Sequence, residues 1–220
     1  SLKDPYLDFQ GNVQSTINLL EAIRKFSNKT ILIFASTNKV YGDLENFNYL
    51  ENKTRYIIKN NFSGFSEKNT LDFKSPYACS KGSADQYVLD YARVYNLNTI
   101  VFRHSSVYGG RQFFTYDQGW VGWFCAQAIK HKLLRKSKFS ITGNGKQVRD
   151  LIHIDDITRL YKLSFNNFQK LKGKAYNIGG GISNSLSVVE LLNFLQNKLD
   201  IKLNFYRISK RAFDQKIFIS

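Results

Sequence analysis

The sequence contains no methionine, and it has only two cysteines and three histidines among 220 residues. Two thiols, Cys79 and Cys125, are too few for a disulfide framework, and the three histidines show no metal-ligand spacing, so we expect no metal centre. Apolar runs such as 30–35 are far shorter than the roughly 20 residues that a membrane-spanning helix needs. No apolar signal core follows Ser1. These absences favour a cytoplasmic protein without a membrane partner.

Positive charge dominates the chain, with 32 Lys and Arg against 17 Asp and Glu and a formal net charge of +15. Such an excess suits either a nucleic-acid binder or an enzyme of phosphorylated substrates. Lysines are scattered along the whole chain, and the dense basic segment 130–138 lies in no recognisable nucleic-acid motif. We therefore expect no nucleic-acid partner. The alternative, a basic nucleic-acid binder, would lose DNA affinity steeply with salt and ignore nucleotides.

Helical and strand-like patterns alternate along the chain. The polar segment 38–74 shows no period and is predicted to be a long loop with one short helix. A Ser-Pro start at 75–76 and a capping box at Ser187 and Glu190 mark two helix beginnings. The alternation predicts an α/β fold with a parallel sheet. Helices are predicted at 12–27, 76–95, 120–132, 155–165 and 188–199, and strands at 30–35, 98–103, 139–142, 148–154, 175–178 and near 217–220.

A tyrosine and a lysine four residues apart lie on one face of a helix, where the ammonium can lower the tyrosine pKa and make the phenol a usable general base. Chance alone supplies about one such pair in a chain of this composition. The sequence has three, Tyr49/Lys53, Tyr77/Lys81 and Tyr206/Lys210. Only Tyr77/Lys81 opens a convincing helix directly after a long loop, so it is the candidate proton-transfer pair.

Six segments resemble, in the same order, motifs of the extended short-chain dehydrogenase/reductase family, the NAD-dependent epimerases and dehydratases. The resemblance covers nearly the full chain. It implies the C-terminal part of a doubly wound, Rossmann-like parallel sheet at 1–140 and a smaller mixed α/β substrate-binding region at 141–220. The strand near 175–178 is expected to return to the main sheet. The six segments are 12–22, 34–42, 75–81, 101–109, 145–150 and 175–179.

The long loop after Gly42, together with Lys39 and the segments 115–120 and 143–147, is similar to the branch of this family that epimerises CDP-linked dideoxyhexoses at C2. That resemblance implies transient oxidation of the sugar with bound NAD and reduction from the other face. The alternatives are a UDP-glucose 4-epimerase-like enzyme, a 4,6-dehydratase-like enzyme and an inactive nucleotide-sugar-binding fragment. The family's dehydratases usually carry an acidic residue beside the strand-end Thr, and Asn38 at that position disfavours dehydration.

The resemblance also assigns roles to individual residues. Tyr77 would take the hydroxyl proton, Lys81 would lower its pKa and hold the nicotinamide ribose, and Thr37 would orient the hydroxyl. Ser106 stands where many family members carry Asn, and His104 is interpreted as a packed strand-end residue. The residues that it assigns to NAD are Asn12, Tyr77, Lys81, Arg103 and Ser105, and those that it assigns to the nucleotide sugar are Thr37, Ser106, Arg149 and Arg211, the last paired with Asp214.

The Gly-rich turn that usually cradles the NAD pyrophosphate is not found before Asn12. In the family's architecture that turn and the first strands come earlier in the chain, upstream of Ser1. With no methionine at position 1 either, we expect these residues to be part of a longer protein whose NAD-binding half lies outside them. The isolated chain is therefore expected to be inactive and to bind NAD weakly. When full length, the protein is expected to form a homo-oligomer through the helices at 12–27 and 76–95.

Overall fold

A computed structural model describes residues 2–59, 62–134, 138–210 and 213–220. No helix within these ranges is both long and apolar enough to cross a membrane. A π-helix (Phe9–Gln14) and two 3-10 helices (Asn38–Tyr41 and Ile182–Asn184) accompany the α-helices. The α-helices are α1 (Pro5–Asp8), α2 (Ser15–Phe26), α3 (Pro76–Tyr95), α4 (Trp120–Leu134), α5 (Ile154–Asn166), α6 (Phe168–Leu171) and α7 (Val188–Leu199). The strands are β1 (Ile31–Thr37), β2 (Tyr49–Glu51), β3 (Tyr56–Ile58), β4 (Asn98–His104), β5 (Ser106–Tyr108), β6 (Phe139–Thr142), β7 (Val148–His153), β8 (Ala175–Ile178), β9 (Ser185–Ser187), β10 (Phe205–Ile208) and β11 (Ile217–Phe218).

The chain divides into two compact units that each take several separate segments. The first unit comprises the described parts of 1–43, 66–105 and 155–178, and the second those of 44–65, 106–154 and 179–220. The units therefore do not divide at residue 140, where the sequence placed a domain boundary. The physical reason is strand pairing and packing: β5 joins β7, and α4 shares a core with α7, so the residues just before 140 belong with those after it.

The first unit is built on a three-stranded parallel sheet in the order β1-β4-β8, which confirms the α/β class. β8 joins this sheet beside β4, as the strand expected near 175–178 would do. Helices α2 and α3 pack on the sheet through a core that includes Leu20, Val88, Leu97 and Val101, all of them buried. Burial of such side chains is the main favourable term that holds helix to sheet.

Helix α3 begins where the sequence predicted. The Ser75 hydroxyl accepts a hydrogen bond from the Ala78 amide at 3.1 Å, and Pro76 occupies the first turn. The helix ends at Asn96, which adopts the left-handed conformation with φ of 55° that asparagine tolerates better than most residues. The cap at Ser75 sets the start of the helix, and it thereby places Tyr77 in its first turn.

The segment 38–74 contains the expected short helix at Asn38–Tyr41, but it also contains a hairpin of β2 and β3 that the sequence did not predict. The hairpin belongs to the second unit. Arg55 forms a bidentate ion pair with Glu190, and the Tyr56 amide donates to the Lys146 carbonyl at 3.0 Å. Strands of three residues are too short for an alternating pattern to be recognised in the sequence. The hairpin is held by contacts with residues far along the chain, which local patterns do not show.

The second unit combines a sheet of β11, β7 and β5 with an antiparallel strand β9 on β7, and a separate parallel pair of β10 and β6. Helices α4 and α7 pack with β6 around buried side chains such as Phe124, Ile141 and Leu192. The predicted capping box is confirmed, because the Ser187 hydroxyl and the Glu190 carboxylate each accept the other residue's backbone N–H.

A buried aspartate organises the glycine run after β8. The Asp150 carboxylate accepts hydrogen bonds from the Gly181 amide at 3.1 Å and from the Ser220 amide and hydroxyl at 3.1 and 2.6 Å. A Cβ on Gly180 would lie only 1.9 Å from the Leu151 carbonyl oxygen. Position 180 therefore needs glycine, because the Leu151 backbone occupies the space that a side chain would take.

We expect Gly180→Ala to destabilise the protein by roughly 2 kcal/mol or more, because the new methyl group must displace the Leu151 backbone. Gly110→Ala is the matched control, since a Cβ there meets nothing within 4 Å. It should change the free energy of unfolding by less than about 0.5 kcal/mol. Urea unfolding of the two variants would measure both values, and equal effects would contradict the steric explanation.

Candidate active site

The candidate active site of the first unit lies where two parallel strands end. Thr37 closes β1, and its register partner His104 closes β4, so the two residues stand side by side. In open α/β sheets, ligands bind outside the carboxyl ends of the strands. Helix α3 brings Tyr77 to this edge in its first turn, where the phenol of Tyr77 hydrogen-bonds to the Thr37 side chain.

The phenol of Tyr77 is placed between solvent and protein, with 36% of the residue exposed. Burial raises the pKa of Tyr77 above its ordinary value of 10, and the negative charge of Asp8 raises it further, while the Thr37 hydrogen bond acts in the opposite direction. The resting phenol is therefore protonated at neutral pH. Its proton must leave before the oxygen can deprotonate a substrate hydroxyl, so the Thr37 contact is the part of the geometry that favours the phenolate.

Lys81 lies one turn further along α3. Its ammonium donates to the Ala35 carbonyl at 2.6 Å and sits 4.4 Å above the centre of the Phe34 ring. Burial lowers the pKa of Lys81 below its ordinary 10.5. The expectation that this lysine lowers the pKa of Tyr77 stays a prediction, because the causes of the Tyr77 shift here are burial, Thr37 and Asp8. An ammonium has three N–H donors, and the Ala35 carbonyl takes one of them, so Lys81 retains capacity for a ligand.

Helix α3 is tied to the preceding helical segment by a short chain of hydrogen bonds. The Asn12 side-chain amide donates to the Ser80 hydroxyl at 2.9 Å, and that hydroxyl donates to the Tyr77 carbonyl at 3.0 Å. Asn12 lies in the π-helix, a rare conformation that widens the turn and often marks functional sites. The sequence assigned Asn12 to the cofactor, whereas its side chain acts on the backbone that carries Tyr77.

Beneath the site, Asp85 of α3 forms a buried bidentate ion pair with Arg103 of β4, with both N···O distances at 2.9 Å. The same carboxylate accepts from Ser36 at 2.7 Å, and the remaining Arg103 nitrogen donates to the Tyr41 hydroxyl at 2.9 Å. Arg103 is 3% exposed. The guanidinium that the resemblance assigned to the cofactor is thus bonded inside the protein, and we treat Arg103 as a positioning residue.

His104 is the packed strand-end residue that the sequence suggested. Its ring stacks on Tyr161 at an interplanar angle of 7°, and its Nε2 lies 3.1 Å from the Tyr161 hydroxyl. Burial, with a smaller contribution from the charge of Lys81, lowers the pKa of His104 from 6.5 to about 4. The imidazole is therefore neutral at physiological pH, which excludes a cationic role. The neighbouring Ser105 is held by its amide, which donates to the Ile178 carbonyl at 2.8 Å.

In the second unit, Arg149 of β7 is largely buried, and its guanidinium donates to the Val148 and Gln215 carbonyls and to Asp214 at distances of 2.7 to 2.8 Å. The sequence paired Asp214 with Arg211, but the carboxylate binds Arg149, and Arg211 lies outside the described residues. The Ser106 hydroxyl accepts from the Trp120 indole at 3.2 Å.

The structure thus places the Tyr77 phenol on the Thr37 side chain, with Lys81 one turn further along α3. The catalytic roles of these three residues stay predictions. Sequence reasoning missed Asp8, Ser80 and Asp85. Two of these carried a usable signal, since Ser80 and Asp85 follow Tyr77 at intervals of three and eight residues and so share its side of α3. Asp8 carried none, because its contact with Tyr77 comes from helix packing. Among the residues that the structure describes, no three His, Cys, Asp or Glu side chains form a group that could hold a metal ion.

Comparison with known proteins finds that the chain is similar to one family. The family model described as NAD dependent epimerase/dehydratase matches residues 1–179. The chain is 52% identical over 220 residues to the CDP-paratose 2-epimerase of Salmonella typhi, covering all of this chain and 65% of that protein. It is 32% identical over 189 residues to a dTDP-glucose 4,6-dehydratase of Escherichia coli, covering 82% of this chain and 48% of that enzyme.

The fold is matched by a solved structure as well. The crystal structure of UDP-glucose 4-epimerase from Thermus thermophilus in complex with NAD has a TM-score of 0.76 and 25% sequence identity, covering 100% of this chain and 64% of that one. The chain therefore spans between about half and two thirds of the lengths of these three proteins. The TM-score of 0.76 shows that this chain shares its fold with the corresponding part of that structure.

We expect Asp85→Asn to lower the free energy of unfolding by roughly 3 kcal/mol or more, because it leaves the buried Arg103 charge without its counter-ion. Asp90→Asn is the matched control on the same helix, since Asp90 pairs with the largely exposed Arg93. That change should cost less than about 1 kcal/mol. Chemical denaturation distinguishes the two, and a similar small loss for both variants would show that the buried pair is not needed.

We expect the imidazole of His104 to titrate near pH 4 in the folded protein. The folded state then holds this proton less tightly than the unfolded chain, so stability falls as the pH drops from 6.5 towards 4, by at most about 1.4 kcal/mol per pH unit. Histidine NMR titration would measure the pKa, with His104→Gln identifying the signal. A midpoint near 6.5 would contradict the buried, neutral assignment.

Proposed function

Because the chain belongs to the NAD dependent epimerase/dehydratase family, we propose that the protein that carries it epimerises a nucleotide sugar, converting CDP-paratose to CDP-tyvelose at C2. The Tyr77 phenol on the Thr37 hydroxyl is the observation that carries the proton-transfer part of this proposal. The 52% identity to a CDP-paratose 2-epimerase over the whole chain supports the choice of substrate.

The chain's own residues can move the proton that such a reaction needs. Thr37 is fixed at the end of β1, where its hydroxyl also accepts from the Lys39 amide at 3.2 Å, so its orientation is set by backbone. A substrate hydroxyl at this edge would give its proton to the Tyr77 oxygen. The same phenol would return the proton when the sugar is reduced again.

The geometry at the strand ends fits NAD, which supplies the acceptance and return of a hydride when it is bound. Lys81 has donors left for ribose hydroxyls, and Tyr77 stands beside it on the same helix face. Ser105 and the backbone around it follow β4 at the carboxyl edge of the sheet, where dinucleotides bind in doubly wound folds. We propose Lys81, Tyr77 and Ser105 as the contacts in this chain, with Asn12 and Arg103 positioning them.

For the nucleotide diphosphate we propose Arg149, with Ser106 and Arg211 as further contacts. A guanidinium can bind phosphate oxygens bidentately, and the Asp214 pairing fixes the orientation of the Arg149 side chain. The net charge of +15 also favours a phosphorylated substrate, because phosphate groups are negatively charged.

Dehydration is disfavoured by the residue next to Thr37. The Asn38 amide oxygen lies 3.3 Å from the Thr37 hydroxyl. An amide has no proton that titrates near neutral pH, so Asn38 cannot serve as the acid that a dehydratase would need to release water. The 32% identity to a dTDP-glucose 4,6-dehydratase therefore supports the family and not that activity.

We also propose a cytoplasmic location and a homo-oligomeric state. Both cysteines are free thiols, as a reducing compartment would leave them. Helices α2 and α3 expose large apolar side chains, among them Leu19 and Val94 at 48% and 56%. Exposed apolar side chains on two neighbouring helices are a surface that a second subunit could cover.

We expect Tyr77→Phe in the full-length protein to lower turnover of CDP-paratose by about 10²- to 10⁴-fold, because the phenol oxygen that accepts the proton is lost. Affinity for CDP should be nearly unchanged, since the nucleotide is bound elsewhere. Product formation followed by NMR of the sugar, with CDP affinity from calorimetry, measures both quantities.

Tyr206→Phe is the control, because Tyr206 has a lysine at the same spacing but is 48% exposed on β10. It should leave turnover unaltered. Retained turnover in the Tyr77 variant would place the base elsewhere. Conversion of UDP-glucose or dTDP-glucose in preference to CDP-paratose would instead refute the proposed substrate.

A further inference from the structure

Asp8 lies at the end of α1, directly before the π-helix, and its carboxylate acts on the Tyr77 phenol. Two contacts further along the chain agree with this position, because the segment 5–26 runs alongside α3 at a nearly constant offset. Asn12 pairs with Ser80, 68 residues on, and Glu21 pairs with Tyr91, 70 residues on. The pair of Asp8 and Tyr77 follows nearly the same offset. Asp8 therefore faces the candidate active site for the same reason that Asn12 does.

The Oδ2 atom of Asp8 is buried and has no hydrogen-bond partner within the described part of the chain. A buried carboxylate oxygen without a donor is costly, and native structures rarely leave one so. The described residues supply no donor, and a molecule bound at the adjacent site can supply one. The neighbouring polar groups, the Thr37 hydroxyl and the Tyr77 phenol, are those that we assign to the sugar hydroxyl that is oxidised.

We infer that Asp8 is a substrate-binding residue whose carboxylate accepts a hydrogen bond from a second hydroxyl of the sugar ring. The inference rests on the proposed function. A sugar is a dense source of O–H donors, and a hydrogen bond to a charged acceptor is about twice as strong as a neutral one. Helix α1 packs on α3, and the charge of Asp8 acts on the Tyr77 phenol, so the carboxylate lies on the side of α3 that carries the proposed base.

The chemistry of a dideoxyhexose makes such a contact valuable. With two hydroxyls missing and the anomeric oxygen bonded to phosphate, two free hydroxyls remain on the sugar. One of them is the C2 hydroxyl that Tyr77 deprotonates. The other is then the single remaining donor by which the protein can orient the ring, and a carboxylate beside the phenol can bind it without competing for the reacting proton.

The test measures affinity for CDP-paratose and for CDP alone in the full-length protein. Both measurements are made in a Tyr77→Phe background, so that the sugar is bound without being converted. Adding Asp8→Ala should weaken CDP-paratose binding about 10-fold or more and leave CDP binding unchanged, because only the sugar contact is lost. Asp8→Asn keeps an acceptor oxygen without the charge. Its affinity for CDP-paratose should lie between that of the Asp8-intact protein and that of Asp8→Ala.

Asp4→Asn is the matched control, because Asp4 is exposed on the same segment and caps α1 through an oxygen that asparagine retains. It should alter neither affinity. Equal losses for CDP and CDP-paratose, a loss confined to NAD, or a drop in Tm with unchanged affinities would each overturn the role of Asp8. If the Asp8-intact protein binds CDP but not CDP-paratose, the proposed function itself fails, which is a distinct result.

Discussion

The buried ion pair of Asp85 and Arg103 is the interaction on which the rest of the site depends. Asp85 binds Ser36 of β1 and Arg103 of β4, and Arg103 reaches through the Tyr41 hydroxyl to Asn177 of β8. One carboxylate on α3 is thereby connected to all three strands of the sheet. A buried charge that loses its partner is strongly unfavourable, so helix and sheet are held in one arrangement.

That arrangement sets the geometry of the residues that we propose for proton transfer. Tyr77 lies about two helical turns before Asp85, and the sheet that Asp85 contacts also carries Thr37 at the end of β1. The Tyr77 phenol and the Thr37 hydroxyl meet because the contacts of Asp85 fix α3, which carries Tyr77, against β1, which carries Thr37. Lys81 is fixed nearby by the Ala35 carbonyl, so a flexible side chain is held near one position before any ligand binds.

The segment before α3 completes the site from another side. A π-helix at Phe9–Gln14 lies between α1 and α2, and the residues on the side that faces α3, Asp8 and Asn12, approach Tyr77 and Ser80. Asn12 supports the backbone of Tyr77, which we propose as the general base, and Asp8 presents the carboxylate that we assign to the sugar. Positioning and recognition are therefore supplied by neighbouring turns of a single helical segment.

Local sequence patterns determined the long elements and the reactive pair. The Ser75 cap, the apolar spacing of α3 and the Ser187 capping box act over a few residues, and all three were predicted and found. The α/β class followed from the alternation of such elements, and the family followed from the order of short motifs. These features can be predicted from the sequence because their physical causes lie within one turn or one strand of the chain.

The tertiary structure decided what depends on distant contacts. The β2–β3 hairpin is held by Glu190 and Lys146, the strands β5, β9 and β10 are too short to show a pattern, and the units divide by pairing and not at residue 140. The raised pKa of Tyr77, the burial of Arg103 and the approach of Asp8 likewise arise from packing between segments far apart in the chain. The sequence by itself determined which residues could do the chemistry. Only folding decided their protonation and their neighbours, because burial and charge act through space and not along the chain.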